Sequence, residues 1–306
     1  MTLDQGRGYG SFGSRESSHL DALRDGAPAK VNLTLEIKGK RADGYHELES
    51  LVLFADFGDE LEYRPAADFS LTVDGPFSDG LAVDDNLVQR AASAYAERYG
   101  HRLSGNFRLR KRLPVAAGLG GGSSDAAATL RILRKLHGEP DDLAALVPLA
   151  RDLGADVPCC LHARAAIMTG IGETLHPLPV SERIPALLVN PLRPLATGDV
   201  FRELGAGPLE SERAPFAPPV LETRQELIAY AAARRNDLEP PARRLLPMID
   251  EILETLRAAP GALLARLSGS GPTCFAVFAE LHEAQAAAHA IAQNHPHWWV
   301  KSVSLG

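Results

Sequence analysis

Between Pro114 and Ser124 the chain reads Pro114-Val115-Ala116-Ala117-Gly118-Leu119-Gly120-Gly121-Gly122-Ser123-Ser124, with four glycines in five positions. Glycine admits left-handed backbone angles and leaves its amides bare, so this run can wrap a ligand with main chain alone. Asp125 and an alanine-rich run follow, carrying Leu130, Leu133 and Leu136 at helical spacing and stopping at Gly138 and Pro140. The glycine turn therefore feeds a helix N-terminus. Free amides, the positive end of the aligned peptide dipoles and two hydroxyls converge there, which is chemistry for a polyphosphate. A Walker A loop is excluded, because no lysine stands before Ser123. A dinucleotide fingerprint fits poorly: its third glycine falls on Ser123, and Asp141 and Asp142 follow a helix rather than a strand. The bland alternative is a flexible linker, which needs neither the serines nor an immediate helix.

Other chemistry-bearing residues are less distinctive on their own. Lys30 and Asn32 share one face of an early strand whose other face carries Val31, Leu33, Leu35 and Ile37. A lysine so placed is ordinarily solvated. Tyr45 and His46 stand side by side in the turn from Gly39 to Leu48. Either this is an ordinary hairpin loop, or the pair offers a base a stacking surface and a hydrogen-bonding edge. Asp156 lies in an otherwise apolar segment, Gly154 to Leu161, as a cap or turn residue or as a functional carboxylate in a partly dry site. Ser268-Gly269-Ser270-Gly271 reads as a tight hairpin or as a second place where backbone approaches a ligand closely.

The elements that must position these residues alternate in type. Strands are expected from about Ala27, near Leu51 to Phe54, Leu61 to Tyr63, Phe69 to Val73 and Phe107 to Leu113, with a helix after Asp85. A helix from Asp141 to Leu153 follows the loop helix. The second half should hold strands at Ala165 to Thr169 and Ala186 to Asn190, and an exposed loop from Gly205 to Pro219. Helices are expected at Glu222 to Ala233 and Pro241 to Ala258, then strands at Leu263 to Leu267 and Thr273 to Phe278, a helix at Glu283 to Gln293 and a strand at Trp298 to Val303. The closing unit is of the split ferredoxin kind.

Composition sets the limits. In 306 residues of which 45% are hydrophobic there is ample core for one large domain or two ordinary ones. No long apolar window marks a membrane span or signal core, so no membrane is expected and the cytoplasm is the default. Three cysteines, none in a Cys-x-x-Cys pair, argue for core thiols over a disulfide framework or zinc site. A net charge of -7 without a basic block disfavours nucleic acid as a partner. Residues 1–26, rich in Gly, Ser and Arg, read as a disordered tail.

Taken together, Pro114-x-x-x-Gly118-Leu119-Gly120-Gly121-Gly122-Ser123-Ser124, the early Pro28-Ala29-Lys30-Val31-Asn32-Leu33 and the late Ser268-Gly269-Ser270-Gly271 resemble the three signature motifs of the GHMP kinases. The turn Arg41-Ala42-Asp43-Gly44-Tyr45-His46 and the doubled-glycine loop are similar to the branch that acts on a cytidine diphosphate derivative of methylerythritol in isoprenoid biosynthesis. The resemblance runs from about Ala27 to the C-terminus. It implies a two-domain α+β fold: an ATP-binding domain over 27–163, like domain 2 of ribosomal protein S5, then a ferredoxin-like domain over 164–306. It implies ATP as co-substrate with Mg²⁺, the phosphates lying against residues 114–124, Asp156 taking the proton from the substrate hydroxyl and Lys30 holding Asp156 ionised. It further implies that Tyr45 and Phe201 sandwich the cytosine, His46 reads its edge and Asn32 lines the polyol site. Metal ligands stay unassigned, and the expected assembly is a monomer or weak homodimer. The rival readings are a GHMP kinase for another small alcohol, of homoserine or mevalonate type, and a nucleotide-binding module without catalysis.

Overall fold

A computed structural model describes residues 22–79, 81, 85–138, 142–179, 182–209 and 216–306. Residues 1–21 of the expected tail and 210–215 of the expected exposed loop lie outside these. The first half holds β1 (Leu23–Asn32), β2 (Glu36–Lys40), β3 (His46–Arg64), β4 (Phe69–Asp74), α1 (Leu87–Tyr99), β5 (Gly105–Arg110), α2 (Gly121–Leu136), α3 (Val147–Leu153), α4 (Val157–His162), β6 (Ala166–Gly170) and β7 (Thr174–Pro177). The second half holds β8 (Ile184–Asn190), α5 (Thr197–Leu204), α6 (Arg224–Ala232), α7 (Glu239–Leu245), α8 (Met248–Ala258), β9 (Ala262–Leu267), β10 (Cys274–Phe278), α9 (Leu281–Asn294) and β11 (Trp299–Leu305).

The long strand β3 is the hub. It pairs with β1, β2, β5 and β6, all antiparallel, and meets β11 at Leu305 opposite Ala55, between the stretches paired with β6 and β5. In the second half β11, β8, β10 and β9 lie side by side in that order, so the two halves share a continuous sheet.

Alternation along the strands sorts their side chains into three cores. Val52 and Phe54 of β3 face α1 to α4, whereas Leu51, Leu53 and Ala55 face a seam that also takes Ala186 and Leu188 of β8, Phe275 and Val277 of β10 and Leu305. Leu187, Val189, Cys274, Ala276 and Phe278 turn the other way, onto α7, α8 and α9. The seam core locks the two halves against each other and so fixes the cleft above it.

Several expected boundaries change for identifiable reasons. Pairing starts at Leu23, opposite Tyr63, ahead of the expected Ala27. The two short strands expected at 51–54 and 61–63 are one, because different partners take successive stretches of β3 and no break is needed. The helix expected over 141–153 is a 3-10 turn at Leu143–Leu146 with α3 behind it. The helix expected over 241–258 is split into α7 and α8 at Leu246-Pro247, where proline lacks the amide that would continue it. The helices α4 and α5, a turn or two long, and the four-residue strand β7 had no expectation at all.

Candidate active site

The glycine turn closes onto α2 as its sequence requires. Gly118 and Gly120 take positive φ values of 72° and 62°, and Ala116 also adopts a left-handed angle, 51°. Gly120 is the N-cap of α2 and no side chain caps the helix. The first helical bond runs from the Ser124 amide to the Gly120 carbonyl at 2.9 Å. The amides before it therefore have no carbonyl within the helix and stand ready for an anion.

Gly118 is needed for packing as well as for its angle. A Cβ there would stand 2.5 Å from the Ser268 carbonyl oxygen and 2.8 Å from that of Gly271. The Ser268 hydroxyl donates to the Gly118 carbonyl at 3.0 Å and accepts from the Asn32 amide at 3.2 Å. The turn between β9 and β10 is thus both a hairpin and a backbone neighbour of the glycine loop, which reconciles the two readings of its sequence.

Lys30 is buried rather than solvated. Its amide donates to the Leu119 carbonyl at 2.8 Å, and its side chain runs beneath Gly120. The ammonium meets Asp156 Oδ1 at 2.5 Å, with 5% of the lysine side chain exposed against 41% of the aspartate. Burial alone would lower the pKa of Lys30, but the Asp156 charge, with Cys160 and Cys159 beside it, holds it above the ordinary value. At neutral pH Lys30 is therefore a fixed cation. Asp156 is the N-cap residue of α4, yet its side chain makes no capping bond and reaches Lys30 instead. Arg131 of α2 holds α4 in place, donating to the Cys160 carbonyl at 2.9 Å while pairing with Asp25.

These groups face one cleft of about 870 Å³. Its lining includes Lys30, Asn32, Tyr45, His46, Asp156 and Phe201, together with the loop from Pro114 to Ser123 apart from Leu119. Leu119 is buried in the seam core, and the Ser124 hydroxyl turns inward to donate to the Pro28 carbonyl at 2.7 Å. The expectation that both serine hydroxyls face a ligand is therefore corrected for Ser124, whose burial in the first turn of α2 forces it to seek a backbone partner.

At the far end of the cleft His46, the first residue of β3, packs on Phe201 with ring centroids 4.8 Å apart. Phe201 sits on α5, the helix that follows β8, and α5 is anchored by the Thr197 hydroxyl, 2.8 Å from that of Ser270. Burial, then the charge of Lys40, lowers the His46 pKa, so its imidazole is neutral at pH 7, with one donor and one acceptor nitrogen. Tyr45 is 58% exposed at the cleft mouth. Asn32 is fixed by its side-chain amide donating to the Ser50 hydroxyl at 2.8 Å.

A second charged cluster had no counterpart among the candidates. Lys111, the residue after β5, pairs with Asp59 of β3 and, at 2.8 Å, with Asp125 of α2. Asp59 also accepts the amides of Arg112 and Leu113, at 2.5 and 2.9 Å. The cluster lies directly behind Gly121, where a Cβ would meet Asp59 and Lys111 at 3.5 Å. Burial pushes the Asp125 carboxyl up to about 7, Lys111 opposing and Asp59 adding to the rise. Asp125 could have been noticed as the first charge after the loop. Asp59 could not, since its partner is 52 residues away.

Known proteins share this architecture. The GHMP kinases N terminal domain model matches residues 86–164, and the GHMP kinases C terminal model matches 218–297. The chain is 48% identical over 295 residues to a 4-diphosphocytidyl-2-C-methyl-D-erythritol kinase of Rhodopseudomonas palustris, covering 94% of this chain and 96% of that one. It is 50% identical to the protein of the same name in Methylobacterium radiotolerans, covering 94% and 100%. A crystal structure of 4-(cytidine 5'-diphospho)-2C-methyl-D-erythritol kinase matches with TM-score 0.74 and 36% identity over 93% of this chain and 99% of that one. A homoserine kinase from Cytophaga hutchinsonii shares the fold at TM-score 0.67 with 20% identity, over 97% and 98%. A phosphate-suited turn, a buried lysine on an open aspartate and likeness across nine-tenths of the chain lead to one assignment: this chain belongs to the GHMP kinase family.

Proposed function

We propose that this chain transfers the γ-phosphoryl group of ATP to the 2-hydroxyl of 4-diphosphocytidyl-2-C-methyl-D-erythritol. The observation that carries the reading is the Lys30–Asp156 pair at 2.5 Å, in the same cleft as the uncapped N-terminus of α2. The choice of substrate rests on relatives of that name at about half identity over nearly the whole chain.

The chemistry follows from the positions. The loop amides and the dipole of α2 hold the triphosphate and aim its terminal phosphorus into the cleft. Asp156, open on one side, accepts the hydroxyl proton as the oxygen bonds to phosphorus and the bond to the ADP oxygen breaks. Lys30, held beside Asp156, steadies the developing oxygen charge. A carboxylate so placed is worth about 10² to 10⁴ in rate, and positioning supplies much of the rest.

No group of three or more His, Cys, Asp or Glu side chains able to hold a metal occurs among the described residues. A bound Mg²⁺ would find the Ser123 hydroxyl as the oxygen donor that the loop turns to the cleft. When bound it supplies counter-charge to the phosphates. The neutral His46 can both donate to and accept from a pyrimidine edge. Tyr45 and Phe201 provide the aromatic faces for the cytosine and Asn32 a polar wall for the polyol.

A coupled ADP-release assay tests the reading. Turnover is expected with the cytidine compound and not with homoserine or mevalonate; turnover on either of those, with the cytidine compound inert, would replace the substrate and keep the kinase.

A further inference from the structure

A second cavity, of about 840 Å³, is walled by β2, the end of α5 and the segment after it, the turn from Arg235 to Asp237, α7, the end of α8 and β9. Among the described residues its lining carries five cations, Lys38, Arg235, Arg244, Arg257 and Arg266, against two carboxylates, Asp237 and Glu239. Carboxylates just outside the lining balance much of this charge, Glu36 and Glu49 on Lys38 and Glu203 on Arg244, so what the concave wall offers an anion is converging guanidinium donors rather than a large net charge.

Arg266 gives the cavity a fixed floor. Its guanidinium is held by the carbonyls of Leu33, Ala231 and Arg234 at 2.7, 2.9 and 2.7 Å, so its charge is in place before any ligand arrives. The rim is adaptable. Arg235 pairs with Asp237, Arg244 with Glu203 and Arg257 with Glu239, and these arginine side chains are 74%, 56% and 49% exposed. Of these pairs Arg244–Glu203 is open to water on both sides, and such a pair is worth little, so trading Glu203 for a better anion costs little. Planar guanidinium forks converging from several sides match the oxygens of a phosphate better than those of a single carboxylate. The volume suits a ligand of metabolite size.

We propose that this cavity is a second, non-catalytic binding site for a phosphate- or diphosphate-bearing small molecule. The site is mechanically joined to the first. Asn236, between the two lining residues Arg235 and Asp237, donates its side-chain amide to the carbonyls of Leu267 and Gly269 at 2.9 and 2.8 Å. Gly269 belongs to the turn that stands against Gly118. The flanking backbone pairs with Leu35, through Leu35 N–H to the Arg235 carbonyl at 2.9 Å and Asp237 N–H to the Leu35 carbonyl at 2.8 Å. An anion that draws Arg235 inward thus acts on the neighbour of the residue that braces the phosphate loop from behind.

The test uses the full chain with its catalytic cleft saturated by a non-hydrolysable ATP analogue, at fixed free Mg²⁺. Inorganic diphosphate is titrated by calorimetry into the wild type and into the double variant Arg244→Glu with Arg257→Glu. A binding event that persists with the cleft filled, and that weakens at least about tenfold in the variant while analogue affinity stays unchanged, is the expected result. Should the double variant melt early, Arg244→Gln alone is read in the same way, with a smaller loss expected. Heat that disappears once the cleft is filled, or equal affinity in a well-folded variant, overturns the site. Amide exchange over 267–271 is expected to slow on diphosphate addition in the wild type only; unchanged exchange there overturns the link to the phosphate loop.

Discussion

A lysine with 5% of its side chain exposed stays charged only if a partner repays its lost hydration, and for Lys30 that partner is Asp156. The asymmetry matters: the cation is sealed, while the carboxylate keeps an open face toward the cleft. Replacing Asp156 with Asn keeps the shape, removes the proposed proton acceptor and strips Lys30 of its counter-charge. Turnover is expected to fall by about 10² to 10⁴ while ADP affinity changes little, as checked by steady-state ADP release and by calorimetry. Wild-type turnover in that variant would dismiss Asp156 as the base. The Asp125 carboxyl makes a different prediction, one about stability. In the unfolded chain it titrates near 3.8 and in the native state near 7, so the folded protein binds more protons between those values. Its contribution is therefore complete below about pH 4 and lost as pH rises to about 7. Without nucleotide or divalent cation, the thermal midpoint of Asp125→Asn should vary less across that window than that of the wild type. Superimposable profiles would contradict the raised value.

At the scale of elements, the glycine turn and the hairpin behind it form one unit. Gly118 carries both a left-handed angle and a backbone contact that leaves no room for a methyl group. Gly118→Ala should cost about 1–3 kcal/mol in urea denaturation and raise the KM for ATP, because relief of the clash must move either the loop or Ser268. An unchanged KM would show that the turn tolerates displacement. Much of this unit was legible beforehand, since glycine density, the following alanines and the leucine spacing fix a turn and a helix locally. The fate of the two serine hydroxyls was not. Ser124 finds the Pro28 carbonyl, 96 residues earlier in the chain, and no local signal announces such a partner.

For the whole molecule, the last strand decides whether two halves behave as one. Leu305 is fully buried in the seam core and opposite Ala55, and Gly306 exchanges backbone bonds with Phe54 at 2.9 and 3.1 Å. Truncating Leu305 to Ala should lower stability by about 2–5 kcal/mol, through lost transfer energy and the cavity left behind. Denaturant melts of the variant check this, and a loss within about 0.5 kcal/mol would mean the seam is held elsewhere.

Alternating and helical periodicities, the glycine run and the three spaced motifs were enough, by sequence alone, to give the α+β class, most of the strands and the family. Those signals are local, and local geometry obeys them. Tertiary structure alone settled which charges meet. Lys30 leaves solvent for Asp156, His46 lies on Phe201, Lys111 gathers Asp59 and Asp125 behind Gly121, and arginines from four segments surround a second cavity. Each of those encounters depends on distant stretches being folded together by the seam core, and pairing across such distances leaves no periodic trace in the order of residues.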